Sequence, residues 1–101
     1  MSDTTSTNVY RIDPLLGAEN YAVWKIKMTD ILTDQSLLEY ADGSSKPPEK
    51  DDAALAAWKT KDRKALSTIR LRVGDGPLVY IAGATTSKQA WDALSVDVRS
   101  A

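Results

Sequence analysis

Residues 49–73 read EKDDAALAAWKTKDRKALSTIRLRV, and this stretch decides the fold class. Leu55, Trp58, Ala65, Leu66, Ile69 and Val73 recur at the spacing of one helical face, with Asp62 the one polar interruption. Ala53, Ala54, Ala56 and Ala57 add intrinsic helix propensity. Glu49, Asp51 and Asp52 stand at the start, and Lys59, Lys61, Arg63, Lys64, Arg70 and Arg72 crowd the later part. That order suits the helix macrodipole, although a charge counts only near the terminal turn. The pattern predicts one long helix from Glu49 to Val73.

Working outward toward the N-terminus, Tyr21, Trp24, Met28, Ile31 and Leu32 fall on one face of a helix, and Lys25, Lys27 and Asp30 fall away from it. With Asn20 as N-cap, a helix is predicted over Tyr21 to Thr33. Ser36-Leu37-Leu38-Glu39 has the spacing of a capping box and predicts a short helical turn inserting Leu37, Leu38 and Tyr40. Residues 42–48, rich in Gly, Ser and Pro, read as a linker. Val9 to Leu16 runs extended around Pro14 and lays Val9, Tyr10, Ile12, Leu15 and Leu16 on the core, with Gly17 permitting a bend.

Toward the C-terminus, Gly74-Asp75-Gly76-Pro77 stops the long helix. Gly74 fits the C′ position, and Pro77 fits the first turn of a short helix carrying Leu78, Val79 and Ile81. Thr86-Ser87-Lys88-Gln89 is a second capping box, followed by a last helix with Ala90, Trp91, Leu94 and Val98 on its apolar face. Val79-Tyr80-Ile81 is the only β-like run and is discounted. The expected fold is all-α: a small orthogonal helical bundle of about four to five helices with an extended N-terminal arm. Residues 1–8 are expected to form a disordered tail and residues 9–101 one helical domain. Trp24, Trp58 and Trp91, one from each of three helices, are expected to anchor a single core.

At 101 residues the chain has room for one domain, burying roughly two-thirds of its unfolded surface. It has no cysteine and no histidine. Disulfides, thiolate metal sites, thiol nucleophiles and the commonest general base are thereby absent, which makes catalysis improbable without excluding a lysine- or carboxylate-based enzyme. The net charge of −1 argues against a dedicated nucleic-acid-binding domain. No apolar run has the length of a membrane helix, and the polar start lacks the order of a secretory signal. A cytoplasmic location follows as the default.

Few motifs carry chemistry. Asp42-Gly43-Ser44 has the wrong order for an aspartic protease, and Gly74-Asp75-Gly76 lacks the strand and the Gly-Lys-Ser/Thr of a phosphate loop. Lys59, Lys61, Arg63, Lys64, Arg70 and Arg72 are candidate contacts for RNA or a partner. A step of 100° per residue scatters them over a wide arc and no aromatic residues interleave with them, so a solvated helix surface is the favoured reading.

The stretch Leu16-Gly17-x-x-Asn20-Tyr21-x-x-Trp24-Lys25-x-x-Met28 resembles the opening signature of the Gag polyprotein of copia-type LTR retrotransposons, with one residue more between Gly17 and Asn20. Trp58-Lys59-x-Lys61-Asp62-x-Lys64-Ala65-Leu66-x-x-Ile69 is similar to that family's middle helix. Thr85-Thr86-Ser87-Lys88-Gln89-Ala90-Trp91-Asp92-Ala93-Leu94 is similar to its Trp-Asp-x-Leu segment. The resemblance marks Leu16, Gly17, Asn20, Tyr21, Trp24, Met28, Trp58, Leu66, Ile69, Trp91 and Leu94 as motif or core positions. It implies a capsid N-terminal domain that self-associates into virus-like particles packaging the element's RNA. It implies no enzyme, no cofactor, no metal, no membrane and no small-molecule substrate. A host-retained adaptor or an RNA-binding interaction module is the alternative. Without Cys or His the zinc knuckle of many members cannot be carried over, and the chain is expected to be truncated at its C-terminal end, as a fragment, a degenerate copy or a host-retained remnant.

Overall fold

The computed structural model describes residues 11–95; the expectations for residues 1–10 and for Val98 lie outside them. Among the described residues there are five helices: α1 (Ala18–Asp34), α2 (Leu38–Ala41), α3 (Asp52–Arg70), α4 (Asp75–Ile81) and α5 (Ser87–Ala93). The predicted all-α bundle is what forms, and Val79, Tyr80 and Ile81 are helical. Helix α3 packs on α2 and α5, α2 also meets α5, α4 lies against α5, and α1 covers α2 and α3.

Helix α1 buries Tyr21, Trp24, Met28, Ile31 and Leu32, the five residues that its periodicity selects. It begins earlier than expected, and Asn20 is its third residue, not its N-cap. The Asn20 amide instead reaches back across the first turn. Its Oδ1 accepts the N–H groups of Leu16 (2.9 Å) and Gly17 (3.4 Å), and its Nδ2 donates to the Pro14 carbonyl (3.0 Å). Asn20 thus holds the arm against the helix that follows it.

The arm ends at Leu15, which forms an isolated parallel bridge with Val73. The Leu15 N–H donates to the Arg72 carbonyl (3.0 Å), and the Gly74 N–H donates to the Leu15 carbonyl (2.7 Å). This pairing explains why α3 stops at Arg70 and not at Val73: the last residues of the predicted helix leave it to meet the arm. It also corrects the role of Gly74, which is the N-cap of α4 with ordinary φ −75° and not a left-handed C′ residue. A Cβ at Gly74 would sit 3.1 Å from the Leu15 carbonyl oxygen, so a glycine lets the arm approach. Leu15 is fully buried while Leu16 is 62% exposed, so the motif leucine lies on the surface and its neighbour fills the core.

The Ser36 capping box does not form, because Ser36 ends α1. Its φ is +60°. The Leu37 N–H donates to the Leu32 carbonyl (2.7 Å) and the Ser36 N–H to that of Thr33 (3.0 Å). That pattern is a Schellman closure with serine where glycine is usual. Leu32 and Leu37, the positions whose apolar pairing accompanies this closure, are both buried in the core. Only half of the second capping box forms: Thr86 Oγ1 accepts the Gln89 N–H (3.2 Å), but Gln89 Oε1 accepts the N–H and hydroxyl of Thr85, one residue before the N-cap, in place of the Thr86 N–H.

Two charged side chains of α3 are internal ties. Asp62, only 5% exposed, accepts both the N–H (3.1 Å) and the hydroxyl (2.6 Å) of Ser87 at the start of α5. Arg70 Nη2 donates to the carbonyls of Ile81, Ala82 and Ala84, the groups left open where α4 ends.

Asp62→Ala is expected to destabilise the fold by about 2–3 kcal/mol in urea unfolding, because two buried donors on Ser87 lose their acceptor. The Asp62→Ala/Ser87→Ala double variant should cost less than the two single losses added together. Ser36→Gly should stabilise by about 0.5 kcal/mol, the relief of left-handed strain outweighing the added chain entropy; an unchanged or lower midpoint would contradict the strain.

Candidate functional site

The helix-breaking residues after α2 build one wall of a concavity. Asp42 Oδ1 accepts from the Ser44 N–H (2.8 Å) and hydroxyl (2.7 Å), closing a tight turn. Gly43 takes φ +85° within it. A Cβ there would lie 2.5 Å from Cδ and Cε of Lys88, so a glycine makes room for the lysine stem. The Ser45 N–H then donates to the Glu39 carbonyl (3.0 Å), directing the following prolines toward α3. Asp51 accepts the Ala54 N–H (3.0 Å) and caps α3, which therefore starts later than Glu49.

Trp58 forms the opposite wall. Its indole N–H donates to Ser45 Oγ (3.0 Å), and its ring lies 5.6 Å from that of Tyr40, tilted by 59°. Between the walls is a cavity of about 450 Å³, also lined by Leu55, Lys46, Pro47, Lys59, Asp62, Thr86 and Lys88. Lys88 pairs with Asp92 one turn along α5. Lys46 and Lys59 are exposed.

The expected single core of three tryptophans is therefore corrected. Trp24 and Trp91 do meet, with ring centroids 6.1 Å apart, and the Trp24 indole N–H donates to the Arg72 carbonyl (2.7 Å). Trp58 stands apart, half-buried beside Tyr40. The long helix is the cause: its later half, with Ala65, Leu66 and Ile69, lies in the core, while Leu55 and Trp58 extend beyond it. Of the remaining motif positions, Tyr21, Met28 and Leu94 are buried, Gly17 and Asn20 are half-buried, and Leu16 is exposed.

The six basic candidates divide. Lys59, Lys61, Arg63 and Lys64 are exposed along α3. Arg70 is committed to the carbonyls that close α4, and Arg72 Nη1 donates to the Thr68 carbonyl (3.1 Å). Sequence reasoning missed Lys46 and Lys88 as neighbours of Lys59, because they lie on a loop and on another helix. The Gly-Ser-Ser-Lys-Pro-Pro run after α2 was the available signal, read only as a linker.

A second surface feature lies on α1. Val23 (57% exposed) and Ile26 (65% exposed) point outward one turn apart. Ile26 borders an open groove of about 600 Å³ with Tyr21, Ala22, Lys25, Thr29 and Asp30. Among the described residues no three Asp or Glu side chains are grouped to hold a metal ion, and no helix is long and apolar enough to cross a membrane.

The family described as gag-polypeptide of LTR copia-type matches residues 28–97, opening inside α1 and running through α5. The retrovirus-related Pol polyprotein from transposon TNT 1-94 of Nicotiana tabacum is 29% identical over 85 residues, 84% of this chain. The chain spans 6% of that polyprotein's length. No solved structure matches the chain. The family match covers well over half of the sequence, and the chain belongs to the copia-type LTR gag-polypeptide family, a structural and not a catalytic one.

Proposed function

We propose that this chain is a capsid-like structural protein of a copia-type retrotransposon that self-associates in the cytoplasm into particles enclosing the element's RNA. The observation that carries the reading is the outward-facing apolar pair Val23 and Ile26 on α1, in a member of the gag-polypeptide family. These side chains lie outside the core although α1 buries a complete apolar face of its own. Burying both against a second copy removes apolar area from water at about 25 cal/mol per Å². Val79 and Tyr80 on α4 are also exposed, on a different helix. A subunit with two unlike contact surfaces can propagate an assembly, whereas one self-complementary patch stops at a dimer. Each contact is small, so association of the isolated chain is expected to be weak and to grow with valency.

Sedimentation velocity over a rising concentration series tests this. The weight-average mass should climb with concentration, and Val23→Asp with Ile26→Asp should hold the chain monomeric while leaving its circular dichroism unchanged. A wild-type chain that stays monomeric at the highest concentrations reached would overturn autonomous assembly. Nuclease-protected RNA co-sedimenting with the assembled fraction is the further outcome expected of the packaging role.

A further inference from the structure

We infer that the cavity between the 42–48 turn and α3 seats a nucleotide of single-stranded RNA, its base on the Trp58 indole and its phosphates among Lys46, Lys59 and Lys88. The inference rests on the RNA-packaging role proposed above and assigns a place for the contact on this chain.

The Trp58 wall of the cavity is aromatic and apolar. Trp58 and Tyr40 adjoin at 5.6 Å, with Leu55 and Pro47 at the sides. The indole is held in one orientation by its 3.0 Å bond to Ser45 Oγ, so a base stacking on it meets a ring already fixed. A volume of about 450 Å³ suits a ligand of nucleotide size. Stacking on a fixed aromatic ring is indifferent to base identity, because every base has a π-face.

The rim supplies the matching charge. Lys46 comes from the loop, Lys59 from α3 and Lys88 from α5, so three elements each contribute a lysine to the lining. Neither Lys46 nor Lys59 is ion-paired among the described residues. The Lys88–Asp92 pair is exposed on both sides, and such a pair is weak enough for a phosphate to compete. One carboxylate, Asp62, also lines the cavity, its Oδ1 accepting from Ser87, and three lysines outnumber it there. A nucleotide carries a stacking base and a phosphate in one unit, so it answers the indole and the lysines together, whereas an acidic side chain answers only the lysines. The chain's overall charge of −1 makes this a local cationic site on a near-neutral surface.

The test uses the full chain, a labelled oligouridine and fluorescence anisotropy. Trp58→Leu should weaken binding about ten-fold and Trp58→Phe, which keeps a ring, should recover most of it. Lys46→Ala and Lys59→Ala should each flatten the logarithmic salt slope by about 0.7. In a ¹H–¹⁵N spectrum of the unmodified chain, oligouridine should move the Trp58 indole resonance and leave that of buried Trp24 in place, which needs no variant to fold. An unmoved Trp58 resonance, or Trp58→Leu binding as tightly as wild type, overturns the site. So does an equal response to polyglutamate or inorganic polyphosphate, which would reduce it to charge alone. Uridine monophosphate saturating at the same concentration as the oligomer would reassign it to a free nucleotide. Sedimentation of the same variants separates the readings: retained assembly without RNA binding at the Trp58 cavity defeats this site and leaves the assembly role intact.

Discussion

The carbonyl oxygen of Arg72 is the point on which the arrangement turns. It accepts one hydrogen bond from the Leu15 backbone and another from the Trp24 indole. The arm, the first helix and the end of the long helix are thereby fixed by a single atom. Leaving the α-helix frees that carbonyl from intrahelical pairing, so the break after Arg70 and the docking of the arm are one event. Leu15 then inserts as a fully buried side chain, a contribution of roughly 1.5–3 kcal/mol.

The other end of the bundle is organised by charge in the interior. Asp62 interrupts the apolar face of α3, yet it is one of the residues that fix α5, through both donors of Ser87. Arg70 does the corresponding work at the end of α4, where open carbonyls carry partial negative charge. Charged residues on one helix therefore act as caps for two others. This division matters for the surface as well. Arg70 and Arg72 leave the pool of basic side chains that could face a partner, while Lys46 and Lys88 join Lys59 from elsewhere in the chain.

Local features of the sequence were legible where their causes were local. The α1 face, the Thr86 cap, the Pro77 start of α4 and the helical class all follow from periodicity and from side chains within one turn of each other. What escaped was set at long range. Nothing near Gly74 announces that its lack of a side chain serves Leu15. Nothing near Ser36 shows that closure of α1 outcompetes capping of α2. The half-and-half burial of α3 depends on how far it overshoots its neighbours, so a face that reads as continuous becomes core at Leu66 and groove wall at Trp58. The cavity combines residues from a loop and three helices, and only the fold brings them together.

The arm's partner also sets an order of events during synthesis. Leu15 is made early, and the carbonyl it pairs with belongs to a residue fifty-seven positions later. At roughly 5–20 residues per second, the ribosome leaves the N-terminal segment without its docking site for about 3–11 seconds. Over that interval Tyr21, Trp24 and Met28 lack the later helices that bury them in the folded domain. Apolar surface that the finished domain hides is therefore uncovered for the longest time in the segment made first.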